Sequence, residues 1–359
     1  MGTNTMQALV LHAVGDLRYE RVPRPVPRAG EALVRVAAVG VCGSDVPRIF
    51  EHGTYRFPLI PGHEIAGVVE EVVGAGTRHR GERVTVKPII PCGQCAYCQI
   101  GSFAQCASYD YLGSRTDGGF AEFVRVPQRN LVPLPESVDL VDAALAEPAA
   151  VALHALRQGG VEPGDVVAIL GTGPIGMILA QWARILGAAK VLLTDVDGEK
   201  LRMAKELGLG ITFDARKGDP VAWAERVSGG RRPDLVVEAA GVSATFEQAL
   251  RMARPLGRVV IMGNPTGEVR LPQGTVSQIL RKELTIKGTW NSCFTELPVD
   301  EWQVVVEMLA KGRLNLRGLI SHRLPLSKGV EVLEMMRSRR EAYNRVVLIN
   351  EGAEEGERQ

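Results

Sequence analysis

The chain has 359 residues, of which 45% are hydrophobic and 23% charged, and its formal net charge at pH 7 is +1. This length exceeds what one hydrophobic core usually holds, so we expect two domains. The nearly balanced charge gives no reason to expect a nucleic-acid or membrane surface, the N-terminus lacks a secretion signal core, and no apolar run has membrane-spanning length; we therefore expect a cytoplasmic protein.

Short strand-like runs fill the first third of the chain. Residues 32–37 and 65–70 are two of them, and closely spaced glycines and prolines separate the runs. This pattern is typical of a compact β-barrel-like domain.

Potential metal ligands are scattered through this β-rich part. Cys42 follows a strand-like run, His63 and Glu64 precede another, and Glu147 stands just before the second half of the chain. One thiolate, one imidazole and two carboxylates suit a catalytic zinc with one exchangeable position, and Asp45 could orient the His63 ring. Each residue alone is more often a buried or solvated side chain without a metal; their combination with the motifs below favours the metal site.

A second group of ligands forms a tight cluster. It consists of Cys92, Cys95, Cys98 and Cys106. Four sulfur ligands at loop spacing can close a tetrahedral shell around Zn²⁺, which leaves no position for a substrate, so we interpret this site as structural. Disulfides are the alternative, and a cytoplasmic location disfavours them.

From about residue 149 the pattern alternates between strands and helices. Strands are predicted at residues 166–170, 190–195, 211–213, 235–239, 258–262 and 284–287, and helices at residues 176–186 and 199–207. The alternation predicts a doubly wound parallel sheet. Beyond it, a helix is predicted near residues 301–309 and a strand at 345–349, and we expect this last part to return to the first domain.

A glycine-rich run directly follows the first strand of the predicted parallel sheet. Its residues fit G-x-G-x-x-G: Gly171-Thr172-Gly173-Pro174-Ile175-Gly176. In this context the glycines permit a tight turn, close approach of a pyrophosphate, and packing of helix on strand. Asp195 follows about 20 residues later, at the position that binds a ribose 2′-hydroxyl. Because Asp195 and Asp197 would repel a 2′-phosphate, we predict NAD over NADP. A generic glycine turn with a surface aspartate is the alternative.

These motifs, in this order, resemble the zinc-dependent medium-chain alcohol dehydrogenases. The resemblance spans nearly the whole chain. It implies a GroES-like, β-rich catalytic domain formed by residues 1–148 and 290–359, with a Rossmann NAD-binding domain of residues 149–289 inserted between its parts. It also implies two Zn²⁺ ions per chain, one catalytic and one structural, and a homodimer or homotetramer.

The resemblance also assigns roles to individual residues. In the polyol branch of that family, zinc is typically held by residues matching Cys42, His63 and Glu64, with Glu147 near or in the shell, so Glu64 and Glu147 are alternatives for the last ligand. Lys200 matches a basic contact to the adenosine ribose.

Three longer segments narrow the resemblance. Residues 42–50, 111–120 and 281–285 are similar to the branch that oxidises galactitol 1-phosphate to tagatose 6-phosphate with NAD. Sorbitol or other polyol dehydrogenases and L-threonine dehydrogenases remain alternatives. Arg48 and Arg115 lie in these segments and are candidate partners for a substrate phosphate, with a solvated or structural arginine as the alternative.

The residue expected to relay the substrate proton differs from that of the wider family. Many relatives carry a histidine relay where this chain has Pro47, so we expect Ser44, or Glu147, to take that part. For Ser44 a helix N-cap is the alternative.

Two other functional classes would share part of this pattern. A zinc-independent quinone or enoyl reductase would share the fold, but it would need neither Cys42 and His63 nor the four cysteines. A non-catalytic NAD-binding protein could keep the glycine motif while losing the catalytic ligands, which are all present here. The sequence therefore favours a dehydrogenase that acts on a small polyol or polyol phosphate.

Overall fold

Residues 4–293, 295 and 298–350 are described by the computed structural model. The chain divides into two units, Met1–Glu147 with Cys293–Gln359, and Pro148–Ser292. No helix within the described residues is long and apolar enough to cross a membrane.

The first unit begins as a β-rich structure. Its strands in this part are β1 (Thr5–Ala13), β2 (Asp16–Pro23), β3 (Glu31–Val41), β4 (Glu64–Val72), β5 (Arg83–Val86), β6 (Ile89–Ile90), β7 (Asp110–Tyr111), β8 (Phe123–Pro127) and β9 (Leu131–Pro133). Its helices here are α1 (Asp45–Pro47), which continues as the π-helical turn Arg48–His52, then α2 (Ala96–Gln99) and α3 (Leu140–Ala144). The next helix, α4 (Ala146–Gly159), begins in this unit and continues into the second. The two strands predicted in this part are β3 and β4.

The second unit alternates strand and helix as predicted. In chain order its elements are β10 (Val166–Leu170), α5 (Pro174–Ile185), β11 (Lys190–Asp195), α6 (Gly198–Glu206), β12 (Ile211–Asp214), α7 (Pro220–Val227), β13 (Leu235–Glu238), α8 (Ser243–Met252), β14 (Arg258–Ile261), α9 (Gln273–Lys282) and β15 (Thr285–Gly288). The strands form one parallel sheet in the order β12-β11-β10-β13-β14-β15. The strand order reverses at β10, the place where ligands bind in doubly wound sheets.

The apolar run of β10 explains its central position. The side chains of its last four residues, 167–170, are completely buried. A parallel strand covered by helices on both faces needs such a run.

The end of the chain then rejoins the first unit. It forms α10 (Glu301–Ala310), β16 (Ile320–Pro325), α11 (Gly329–Ser338) and β17 (Arg345–Ile349). The main sheet of this unit has the order β16-β17-β3-β4-β5-β9, and β8 also pairs with β3. β17 runs antiparallel to β3, with Val346 opposite Val41. The start of β17 therefore lies beside the end of β3, next to Cys42.

Candidate functional site

The main sheet of the first unit brings the predicted metal ligands together. Gly40 of β3 is paired with Glu64 of β4, so Cys42, just after β3, lies beside His63, just before β4. Gly40 is required at this position, because a Cβ there would collide with the Glu64 carboxylate. Two adjacent antiparallel strands thus position three potential ligands.

The ligand atoms of Cys42, His63 and Glu64 all lie within 4.8 Å of one another. His63 and Glu64 are buried, while Cys42 is half-buried. Nδ1 of His63 lies 3.4 Å from Oδ1 of Asp45, which leaves Nε2 as its candidate ligand atom. One sulfur, one nitrogen and one oxygen donor leave a fourth position free, as in catalytic zinc sites.

Asp45 contacts both Cys42 and His63 of this group. It is completely buried; its Oδ2 accepts the Cys42 N–H at 3.0 Å, and its Oδ1 accepts from Nη1 of Arg48 at 2.7 Å. Burial alone would raise the pKa of the Asp45 carboxyl, but His63 and Arg48 lower it below its usual range. An ionised Asp45 can therefore hold the His63 ring in one orientation.

The protonation of His63 is linked to these neighbours. Burial lowers its pKa, but Asp45 and Cys42 raise that pKa by more, so it lies well above its ordinary value. Because only a neutral imidazole binds a metal, a metal ion would have to displace this proton.

Arg345, which the sequence motifs did not indicate, is the buried partner of Glu64. Its Nη2 donates to Oε2 of Glu64, and both side chains are almost completely inaccessible to solvent. Oε1 of Glu64 is buried without a hydrogen-bond partner among the described residues. A buried carboxylate oxygen without a partner is costly, and a metal ion would supply the missing interaction. The only sequence signal was a charged residue at the start of an otherwise apolar strand.

Glu147 lies in the first turn of α4 and does not belong to the group of three potential ligands. Its Oε1 accepts from Oη of Tyr111 at 3.4 Å, and the Tyr111 ring lies 5.6 Å from that of His63. Burial raises the pKa of Glu147 to about 7, and Glu64 adds to this, against the opposing charges of His63 and Arg345. A carboxyl group with this pKa can exchange a proton near neutral pH.

Ser44 occupies the N-cap position of α1, but its side chain makes no capping hydrogen bond. Its hydroxyl instead donates to Sγ of Cys42 at 3.3 Å. Ser44 is exposed, so the hydroxyl connects the ligand sulfur with solvent.

The four-cysteine cluster has the dimensions of a zinc shell. All four Sγ atoms of Cys92, Cys95, Cys98 and Cys106 lie within 4.8 Å of one another, and the pairs Cys92–Cys98 and Cys95–Cys106 are 3.9 Å apart. A tetrahedron with Zn–S bonds of about 2.3 Å has edges of about 3.8 Å, whereas a disulfide bond is about 2 Å long. All six cysteines are free thiols.

The backbone around the cluster favours thiolates. N–H groups of Ala107 and Cys98 lower the pKa of Cys95 to about 6. N–H groups of Gln94 and Cys95 lower that of Cys92. Burial raises the pKa of Cys98 to about 12, so this thiol would need the metal to lose its proton.

The glycine motif lies where the sequence places it, between β10 and α5. Gly171 has a φ of 102°, which favours glycine. A Cβ on Gly176 would collide with the carbonyl oxygen of Gly171, whereas one on Gly173 would meet no atom within 4 Å. Space is therefore open in front of the N-terminus of α5, which begins at Pro174, as a bound pyrophosphate requires.

Asp195 ends β11 beside this motif. Its Oδ2 accepts the N–H of Thr172 at 2.7 Å, and its Oδ1 accepts those of Val196 and Asp197 at 2.7 and 2.9 Å. Lys200 lies 3.7 Å from Asp197. The carboxylate is thus fixed against the glycine loop and remains half-buried.

A cation that the sequence analysis missed is also close. Arg216 follows β12, and its Nη2 lies 3.6 Å from where a Cβ of Gly198 would be. Its guanidinium is already paired with Asp214, at 2.8 Å. Asp214 is opposite Asp195 in the sheet, which is a three-dimensional relation that no local pattern reveals.

Comparison with known proteins agrees with this geometry. Residues 28–136 match the family model of the alcohol dehydrogenase GroES-like domain, and residues 174–311 match that of zinc-binding dehydrogenases. Galactitol 1-phosphate 5-dehydrogenase of Escherichia coli (strain K12) is 36% identical over 321 residues, which cover 89% of this chain and 92% of the relative. The chain belongs to the zinc-dependent medium-chain dehydrogenase family. Sorbitol dehydrogenase of Homo sapiens is 34% identical and covers 91% of each chain.

Solved structures of the family have the same fold. A crystal structure of galactitol-1-phosphate dehydrogenase from Escherichia coli has a TM-score of 0.90, with 34% identity, and covers 96% of this chain and 100% of that one. A putative zinc-binding dehydrogenase from Sinorhizobium meliloti 1021, bound to NADP, has a TM-score of 0.89 with 32% identity and covers 97% of this chain and 100% of that one.

Family membership confirms the fold and the enzyme class predicted from the sequence. The fold is a GroES-like unit combined with a parallel-sheet nucleotide-binding unit. The protein is an alcohol dehydrogenase of the zinc-binding class, and its relatives include polyol dehydrogenases. These comparisons give no support to the two alternative hypotheses, a zinc-independent reductase and a non-catalytic NAD-binding protein.

Proposed function

We propose that this protein oxidises a secondary hydroxyl of a polyol phosphate with zinc and NAD, converting galactitol 1-phosphate to tagatose 6-phosphate. The observation that carries the zinc part is the convergence of Cys42, His63 and Glu64, whose ligand atoms lie within 4.8 Å of one another. The buried Oε1 of Glu64, which lacks a hydrogen-bond partner among the described residues, supports it. In this proposal residues 1–148 and 290–359 form the catalytic domain, and residues 149–289 bind NAD.

The chain's own residues divide the work of the reaction. Zinc, when bound, supplies a Lewis acid that acidifies the substrate hydroxyl, and NAD accepts the hydride. Cys42, His63 and Glu64 hold the metal, and Asp45 keeps the His63 ring oriented. Ser44 passes the proton towards solvent, because its exposed hydroxyl already touches the Cys42 sulfur.

Glu147 has a supporting part in this proposal. With a pKa of about 7 it can accept or return a proton beside the metal ligands. Its distance from the group of three favours Glu64 over Glu147 as the third protein ligand. Glu147 then serves as a neighbour of the exchangeable position, in hydrogen-bond contact with Tyr111.

NAD is proposed over NADP because of Asp195. Its carboxylate lies at the end of β11, next to the glycine loop, and would repel a 2′-phosphate. Asp197 adds negative charge, and the nearby Arg216 is neutralised by Asp214. In this proposal Lys200 contacts the adenosine ribose.

The four cysteines are proposed to hold the second, structural zinc. Sulfur separations of 3.9 Å and backbone N–H groups aimed at the sulfurs support a closed tetrahedral site. A homodimer or homotetramer is proposed from the family resemblance and can be checked by analytical ultracentrifugation.

The substrate proposal rests on the three segments noted in the sequence and on the 36% identical relative. Sorbitol oxidation is the competing candidate, since a sorbitol dehydrogenase is 34% identical. NAD reduction should be compared for galactitol 1-phosphate, sorbitol, xylitol, L-threonine and simple alcohols. A highest kcat/KM for galactitol 1-phosphate is expected. Activity restricted to unphosphorylated substrates would reject this substrate and keep the enzyme class.

A further inference from the structure

Arg115 stands out among the cations near the candidate metal site, because its guanidinium lies between two tyrosine rings. Its Cζ is 4.1 Å from the ring centroid of Tyr55 and 4.6 Å from that of Tyr109. Such contacts hold a guanidinium in one plane while leaving its N–H edge free. The described part of the chain gives Arg115 no carboxylate partner.

The other arginines of this region are occupied, and Arg345 is already the buried partner of Glu64. Arg48 donates to Asp45 at 2.7 Å, and Arg56 pairs with Asp117 at 2.8 Å while also donating to a backbone carbonyl. Arg115 is therefore the cation of this group whose charge is available to a ligand.

The backbone fixes Arg115 close to the metal ligands. Its N–H donates to the carbonyl of Tyr111 at 2.9 Å, and the N–H of Tyr55 donates to the carbonyl of Ser114 at 3.3 Å. Tyr111 in turn contacts Glu147 through its hydroxyl and His63 through its ring. A tight turn thus connects Arg115 with Tyr111, which contacts Glu147 and His63 of the candidate site.

The backbone brings these residues together. Tyr109 immediately precedes β7, which ends at Tyr111, and Arg115 follows in a turn whose N–H groups donate to the Tyr111 carbonyl. A ligand whose hydroxyl is at the potential metal ligands and whose chain passes Tyr111 would then present its far end to Arg115.

We propose that Arg115, clamped between Tyr55 and Tyr109, binds the phosphate of a phosphorylated polyol and makes the enzyme selective for it. The proposal rests on the proposed function. A planar guanidinium with a free edge offers two parallel N–H donors to a phosphate. At this turn the phosphate would be bound by Arg115 rather than beside the carboxylates Glu64 and Glu147, which would repel it.

The test compares Arg115→Met and Arg115→Lys with the wild-type holoenzyme on galactitol 1-phosphate and on galactitol. Arg115→Met should raise KM for the phosphorylated substrate about 10- to 100-fold, with kcat nearly unchanged, and should leave KM for galactitol unchanged. Arg115→Lys keeps the positive charge but lacks the two parallel N–H donors of the guanidinium, so its KM for galactitol 1-phosphate should lie between those of the wild type and Arg115→Met. Tyr109→Leu should weaken phosphate selectivity, and Tyr109→Phe should restore it. Arg56→Met is the matched control and should behave as wild type.

A binding readout separates this inference from the proposed function. Inorganic phosphate should broaden or shift in ³¹P NMR with the wild-type holoprotein and less so with Arg115→Met, whether or not any polyol is oxidised. If no polyol is a substrate but this difference is seen, the proposed function fails and the phosphate site stands. Equal phosphate signals in the two proteins, or equal losses on galactitol and galactitol 1-phosphate, would overturn the role of Arg115.

Discussion

Replacing Arg345 with methionine should destabilise the first unit strongly, because Glu64 would be left buried and unpaired. The exposed fractions of the two side chains are 3% and 0%, and Oε1 of Glu64 already lacks a partner. Removing one member of a buried ion pair typically costs about 3–5 kcal/mol. For a unit of this size, with about 2–4 °C per kcal/mol, Tm should fall by about 6–20 °C.

A double variant and a surface control separate the loss of the Glu64–Arg345 ion pair from nonspecific destabilisation. Thermal unfolding is followed by circular dichroism after zinc is removed with a chelator, so that no metal compensates the Glu64 charge. The double variant Glu64→Leu/Arg345→Met should recover much of the loss, since an apolar pair of similar size can replace a buried ion pair. Arg18→Met, which breaks the exposed pair with Asp16, is the control and should change Tm little.

With zinc present, the cost of Arg345→Met should be smaller, because the metal would then neutralise Glu64. Equal losses in the single and double variants would refute the reasoning. So would a loss no larger than that of Arg18→Met.

Three further predictions concern separate parts of the chain. Cys106→Ser should lower Tm and remove one zinc per chain, as measured by elemental analysis, while zinc at the other site is retained; unchanged zinc content would contradict the four-cysteine shell. Asp195→Ser should weaken NAD binding about tenfold, the worth of a hydrogen bond to a charged group, and raise kcat/KM for NADP; steady-state kinetics with both cofactors would reveal an unchanged preference if Asp195 plays no part. Burial and the charges of Arg232 and Arg251 lower the pKa of Lys282 to about 8, from an ordinary value of 10.5. Between these two pH values the unfolded chain binds more protons than the folded one, so the free energy of unfolding should rise with pH relative to that of Lys282→Met. Denaturant titrations of both proteins would measure this, and parallel pH profiles would disprove it.

The alternating half of the fold was predictable because its signals are local. Short apolar strands such as β10, followed by a glycine turn and a helix, carry their structure in neighbouring residues. The strand that returns at Arg345–Ile349 was also recognised from its own composition.

The grouping of the proposed metal ligands was predictable for a similar reason. Cys42, His63 and the four cysteines are residue types with few other uses in such spacing, and the fold brings each group together. The sequence did not decide whether Glu64 or Glu147 is the third protein ligand of the proposed catalytic zinc. The structure favours Glu64 because of pairing between β3 and β4, which is a property of the sheet register.

Other features depended on contacts between distant parts of the chain. Arg345 lies 281 positions from Glu64, and no local pattern relates the two. The enclosure of Arg115 by Tyr55 and Tyr109 depends on the conformation of two loops. Such contacts are set by tertiary packing, so sequence periodicity and motif spacing could not reveal them.

We propose that Cys42 belongs to an open zinc site distinct from the four-cysteine cluster. The zinc content per chain can be measured by inductively coupled plasma mass spectrometry on the wild type and on Cys42→Ser. We expect two zinc ions in the wild type and one in Cys42→Ser, together with loss of NAD reduction. A Cys42→Ser protein that keeps two zinc ions, or that stays fully active with one, would contradict it.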